Sequence, residues 1–297
     1  MANSIDLVTK FQPILDEIYK NASLTARMDA PTKPVDFMGA NVVKVFKTSM
    51  VGMGTYSRST GYPSGDVTGA WEALTLAASR GRAFSIDRMD DDETLGMAFG
   101  TLAGEFIRAK VVPEVDAYRF SKFASWSGIT EVGTPATLTK DTILAAIDAA
   151  KLVLNQNEVP TEGRILYISD ACKGFLEAAI SRSLSNENSV NREVGRFDNM
   201  DVVMVPQTRF YKGITLDPGS SSDAGGYSKT ASIGRDINFM IIHPSAVLQA
   251  TKHANMKTFS PDENQTADAW LIQYRLYHDA FVYDNKVKGI YSHIKGS

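Results

Sequence analysis

RMDDDETLGMAFGTLAGEFIRAK, Arg88 to Lys110, sets the consecutive carboxylates Asp90, Asp91, Asp92 and Glu93 directly ahead of a long apolar pattern. Carboxylates in a row can hold a hard cation or serve as general acid and base. The residues that follow favour another reading. Apolar side chains recur at Leu95, Ala98, Phe99, Leu102, Ala103, Phe106 and Ile107, the spacing that paints one stripe along a helix. Asp90, three residues ahead of Glu93, has the form of a capping box, and the acids face the unpaired amides and positive dipole end of a helix start. Arg108 and Lys110 balance the far end. A calcium loop would need ligands at alternating positions around an internal glycine, a pattern missing here. Asp90 and Glu93 are therefore expected to cap a helix and to do no chemistry.

Beyond Lys110 the apolar pattern resumes through VVPEVDAYRFSKFASW, where Pro113 should kink or split the helix. Unbroken from Asp91 to Ser125, such a helix would be about 50 Å long. Upstream, NVVKVFKTS, EALTLA and RAFSID alternate as strands do. Between the first two lies glycine-rich VGMGTYSRSTGYPSGDVTG, without apolar periodicity, so the segment reads as a two-stranded finger projecting from the body. A lone hairpin is marginal in water and needs another surface for support. Tyr56, Arg58 and Tyr62 at its tip mix basic and aromatic groups suited to single-stranded nucleic acid or to a protein partner, and the finger's aromatic Tyr56, Tyr62 and Trp71 would face water without a neighbour. The acidic balance of the chain favours the protein partner. Further upstream, Ile5, Val8, Phe11, Leu15 and Ile18 give a short amphipathic helix, and Pro31 and Pro34 hold the following segment extended, an arm rather than a domain.

Downstream the pattern turns to mixed helices and strands. TKDTILAAIDAAKLVLNQ reads as a helix, GRILYIS as a buried strand, DACKGFLEAAI as a helix, MDVVMVP as a strand and HPSAVLQATKH as a helix. AWLIQYRLYHDAFVY then alternates as a long strand with one greasy face, and VKGIYSHI closes the chain as another strand after the turn Asp284-Asn285-Lys286. The class is α+β.

The 297 residues suffice for a substantial core. A net charge of -3 argues against a dedicated nucleic-acid binder. One cysteine, Cys172, excludes an internal disulfide framework and a cysteine-rich zinc module, so a reducing compartment is the default. No run has the length of a signal peptide core or a membrane span. Cys172 follows a strand at a helix start, where the dipole would lower its pKa, and is the sharpest enzyme lead. Asp170 stands where a nucleophile elbow has glycine, and a small packed thiol is the plainer reading. His243, His253, His278 and His293 show no paired zinc spacing. The glycines of VGMGTYSRSTG lack the Gly-Lys-Ser/Thr of a phosphate loop.

The order of these parts, arm, finger, acid-capped helix, compact α+β domain and long strand, resembles a major capsid protein of a tailed bacteriophage with the Hong Kong 97-type fold. RAFSIDRMDDDET followed by AGEFIRAKVVPEVDAYRFSKFAS is similar to that family's passage from extended loop into spine helix, and HPSAVLQATKH and YRLYHDAFVYDNKVKGIY resemble its later stretches. The resemblance implies an N-arm over residues 1–38, an extended β-hairpin loop over 39–89, and a spine helix of the peripheral domain over 90–127. An axial domain over 128–255 and return strands through the peripheral domain over 256–297 would follow. It further implies a structural subunit, not an enzyme, without cofactors, that self-assembles into pentamers and hexamers of an icosahedral virion shell in the cytoplasm of a host bacterium. Double-stranded DNA would be contacted without sequence specificity, and a portal and a separate scaffold protein are implied partners. Tyr56, Arg58, Tyr62 and Trp71 would then make intersubunit contacts. Some members crosslink a loop lysine to a neighbour's asparagine, but Val51 to Arg82 contains no lysine. Two alternatives remain: an encapsulin-like compartment of the same fold, and a cysteine hydrolase using Cys172.

Overall fold

A computed structural model describes residues 23–28, 37–38, 41–89, 104–180, 194–220 and 224–296. In chain order the strands and helices are β1 (Phe37–Met38), β2 (Val42–Met50), β3 (Val67–Thr75), β4 (Ala78–Asp87), α1 (Val112–Ser125), β5 (Thr130–Glu131), α2 (Ile143–Gln156), β6 (Ile165–Ser169), α3 (Asp170–Ala179), β7 (Arg196–Phe197), β8 (Met200–Val205), β9 (Ile214–Asp217), β10 (Gly226–Lys229), β11 (Ile237–Ile242), β12 (Val247–Phe259), β13 (Ala269–Val282) and β14 (Ile290–Ile294).

A six-stranded sheet in the order β5-β14-β11-β6-β8-β7 is the centre of the compact part. Its central strands β6 and β11 are buried at every position because both faces are covered there. On one face, Ile143, Ile147, Ala150 and Leu154 of α2 and Cys172 and Leu176 of α3 pack against Leu166, Ile168, Phe239 and Ile241. On the other, Phe120 and Phe123 of α1 meet Tyr167, Met240, Ile242 and Ile290. Helix α3 is the crossover between the parallel strands β6 and β8.

Helix α1 lies between two sheets. Its opposite side carries Val112 and Val115, which join Ile107 and Val111 on Leu276 of a long three-stranded sheet, β12-β13-β4. Residues Val115 to Ser121 are consequently buried all round the helix, polar ones included. Pro113 does not split the helix from what precedes it. One turn of π-helix, Ile107–Val111, runs directly into α1, and the Val112 amide donates to Ile107 O. The wider winding changes the hydrogen-bond register just where proline lacks an N–H and its ring would crowd the carbonyl four residues back.

Two expectations need correction. HPSAVLQATKH is not a helix: Pro244–Ala246 form a short 3-10 turn and β12 begins at Val247. Its partner β13 pairs with it from Val247↔Val282 to Phe259↔Leu271, around one irregularity near Lys252. Paired strands of that length override the helical propensity of Leu248, Gln249 and Ala250. Strand β12 of the long sheet therefore begins at Val247, and β14 goes back to the six-stranded sheet beside β11 and β5.

The second concerns the arm. Ser23–Met28 belong to the subunit's own interior, with Met28 buried in the α1 core. Asp116 of α1, fully buried, accepts hydrogen bonds from Ser23 Oγ at 2.8 Å, Leu24 N at 3.0 Å, Thr25 N at 3.3 Å and Thr25 Oγ1 at 2.8 Å. Arg209 stands 3.5 Å from its second oxygen. A buried carboxylate is tolerable only when so surrounded by donors. The amphipathic stripe from Ile5 to Ile18 and the prolines Pro31 and Pro34 lie outside the described residues.

Candidate assembly surface

Strands β2 and β3 form the finger, paired antiparallel from Val42↔Thr75 to Met50↔Val67. Directly paired residues share a face, so the blade has two different sides. On one side, Val43 and Leu74 at the root, with Val45 behind them, pack on Leu248, Ala250 and Phe281 of the body. Lys47, on that same side, makes an ion pair of 2.5 Å with Asp284. The other side turns away from the body and carries the opposed pairs Phe46–Trp71 and Met50–Val67. Phe46 and Trp71 are 54% and 65% exposed although their rings are in contact, centroids 5.1 Å apart. Gly69 leaves room for this ring: a Cβ at that position would stand 2.7 Å from the Phe46 Cζ and push the exposed side chain aside.

The tip closes on a turn. Ser57 and Gly61 exchange backbone hydrogen bonds of 3.2 and 2.8 Å, and Gly61 takes φ 79°, the left-handed region that favours glycine. Below it, Tyr56 and Tyr62 stack at a tilt with centroids 5.0 Å apart, while Arg58 is exposed on the crown. Of the residues expected here, Tyr56 and Tyr62 are thus together, Arg58 is just beyond them, and Trp71 belongs to a separate pair lower on the blade. Sequence reasoning missed Phe46, Met50, Val51, Met53 and Val67, all largely exposed. An apolar stripe of this extent on a projecting hairpin is what a contact surface offers before it meets its partner.

The root is fixed by polar contacts as well. Tyr277 OH donates to Leu76 O at 2.9 Å, and the Ala77 amide donates to Asp279 Oδ2 at 2.8 Å.

The thiol lead ends in a closed interior. Cys172 is 3% exposed, its amide donates to the capping Ser169 Oγ, and its Sγ lies 3.6 Å from Asn238 Oδ1. Asn238 Nδ2 in turn lies 3.1 Å from His293 Nδ1. The amide stands between thiol and imidazole, so His293 is not placed to take the thiol proton. Burial pushes the thiol pKa up and the His293 pKa down, opposite to a thiolate–imidazolium pair. Cys172 is a packing residue. The histidines form no metal site: among the described residues no group of His, Cys, Asp and Glu could hold an ion. His278 is buried beside Tyr118, Arg119 and Arg80, and desolvation with the two guanidinium charges pulls its pKa down to about 3.

Asp90, Asp91, Asp92 and Glu93 lie outside the described residues, so their capping role stays an expectation; Arg88 and Met89, just before them, are already helical. No described helix is long and apolar enough to cross a membrane.

This arrangement, a finger beside a long sheet, a helix sandwiched between that sheet and a compact α+β part, is the Hong Kong 97-type capsid fold. Solved structures that share it include the mature capsid of bacteriophage PhiM1, at TM-score 0.59 and 11% identity over 85% of this chain and 81% of that one. The capsid of the cyanophage P-SCSP1u matches at 0.58 and 12% identity over 88% and 85%. A virus-like particle from Pyrococcus furiosus matches at 0.56 and 9% identity over 97% and 99%. No protein-family model and no curated protein matches the sequence.

Proposed function

We propose that this chain is a structural, non-enzymatic subunit that assembles with copies of itself into pentamers and hexamers of an icosahedral virion shell around double-stranded DNA. The observation that carries the reading is the Phe46–Trp71 and Met50–Val67 stripe, turned away from the subunit's own body on a fold shared with phage capsids. A monomer would leave that stripe in water; a neighbouring copy covers it. Fully burying a large apolar side chain is worth about 1.5–3 kcal/mol, so a few such contacts repeated round a ring hold a shell together. Tyr56, Arg58 and Tyr62 extend the contact past the blade. A portal and a separate scaffold protein are further partners of this reading, and assembly takes place in the cytoplasm of a host bacterium.

The likeness to the Pyrococcus furiosus particle favours a second reading, an encapsulin-like compartment that encloses protein instead of a genome. Purified particles viewed by negative-stain microscopy and assayed for nuclease-protected DNA separate the two. Closed shells with protected DNA support the capsid; closed shells holding protein alone support the compartment; monomers under all conditions contradict both.

A further inference from the structure

The finger leaves the body through the two residues Leu76 and Ala77, between the end of β3 and the start of β4. Asp279 of β13 lies beneath them, 1% exposed. Its Oδ2 accepts from Ala77 N at 2.8 Å, and its Oδ1 accepts from Tyr118 OH of α1 at 3.0 Å and from Ala280 N at 2.8 Å. Lys122, one helical turn beyond Tyr118, places Nζ 4.0 Å from the same Oδ1. Each oxygen of this carboxylate thus holds a different element: one the finger root, the other the spine side. Tyr118 is buried, its pKa raised by desolvation and by the Asp279 charge beside it, so the phenol stays a donor at all ordinary pH.

We propose that Asp279 is the residue that sets the finger's angle relative to helix α1, through the chain Ala77 N–H, Asp279, Tyr118 O–H. The inference rests on the finger being an intersubunit arm, because only then does its angle decide how neighbouring copies meet. A carboxylate accepts on both oxygens from directions fixed by its plane, so a rotation of α1 is passed to the finger root and not lost in side-chain slack. Two other contacts near the root also reach α1, Arg80 of β4 to Glu114 at 2.5 Å and Trp126 at the C-terminal end of α1 against the cluster of Val43, Leu74 and Leu76, but neither bonds to the Leu76–Ala77 backbone. Tyr277 to Leu76 comes from β13, and Lys47 to Asp284 is an exposed pair of small value.

The test uses the full chain with spin labels on cysteines placed at the finger tip, Ser59→Cys, and on the π-turn, Arg108→Cys; buried Cys172 stays unlabelled. Electron–electron resonance then gives the distance distribution between labels in the unassembled protein. The angle-setting role predicts that Tyr118→Phe and Asp279→Asn each at least double its width with far-UV circular dichroism unchanged. Asn offers one acceptor oxygen and so keeps only one of the two partners. If Asp279→Asn fails to fold, Tyr118→Phe alone decides, since it leaves the Ala77 contact in place. An unchanged width in folded Tyr118→Phe overturns the proposal. This readout needs no particles, so failure of the wild-type chain to form shells contradicts the capsid reading and leaves the angle measurement standing.

Discussion

At the residue scale, buried polar groups explain more of this protein than exposed ones. Asp116, Asp279 and His278 all sit in the junction between α1, the long sheet and the segment around Ser23, and each has a stated consequence when its partners change. His278 is kept neutral by the fold. The unfolded chain takes up the proton below about 6.5, whereas the folded one resists until about 3, so acid in that window favours unfolding. Between pH 6.5 and 5 this group alone should remove about 2 kcal/mol of stability. Urea titrations at both pH values test it: His278→Phe, which keeps a ring against Tyr118, should flatten the dependence by that amount, and an equal pH dependence in the variant would contradict the assignment. None of this was legible from sequence, where His278 is one polar residue inside a strand pattern; its burial is a product of the helix that lies across it.

At the scale of elements, local periodicity read most of the chain. The stripe Ile143, Ile147, Ala150 and Leu154 announces α2, and ILYIS announces β6, because a buried sheet strand and a one-faced helix carry their pattern within themselves. β12 was misread because its strand character is conferred by β13, a partner in another part of the chain, while its own first turn is compatible with a helix. β11, INFMII, gave an apolar run that could have been found, whereas the small hairpin β9–β10 has neither length nor alternation. The segment Ser23–Met28 reads as part of an arm, since three polar residues in six give no sign that a buried carboxylate waits for them. Truncation separates the two parts of the N-terminus. Removing residues 1–22 should leave the melting temperature of the monomer nearly unchanged. Removing 1–30 takes away the four donors to Asp116 and Met28 with them, and should cost about 3–5 kcal/mol, the scale of stripping partners from a buried charge. Equal melting temperatures for the two truncations would show that Asp116 does not depend on them.

On the scale of the whole molecule, the shape is two sheets bridged by one helix, with the finger standing off the long sheet. Sequence order was enough to recognise this plan, because arm, finger, helix and compact part follow one another along the chain. It was not enough to say which side of the finger is open: Val43 and Val45 on one face and Phe46 on the other are apolar alike, and only the packing of Val43 on Phe281 tells the inner face from the outer. The proposed assembly depends on that outer face joining copies of the chain. The most direct measurement is analytical ultracentrifugation of the variant Phe46→Ser/Trp71→Ser beside wild type, with electron microscopy of the sedimenting fractions. Both residues are exposed in the monomer, so circular dichroism and melting temperature should stay at wild-type values while closed particles disappear and monomers or small oligomers remain. Particles formed by the double variant in wild-type yield would contradict the account.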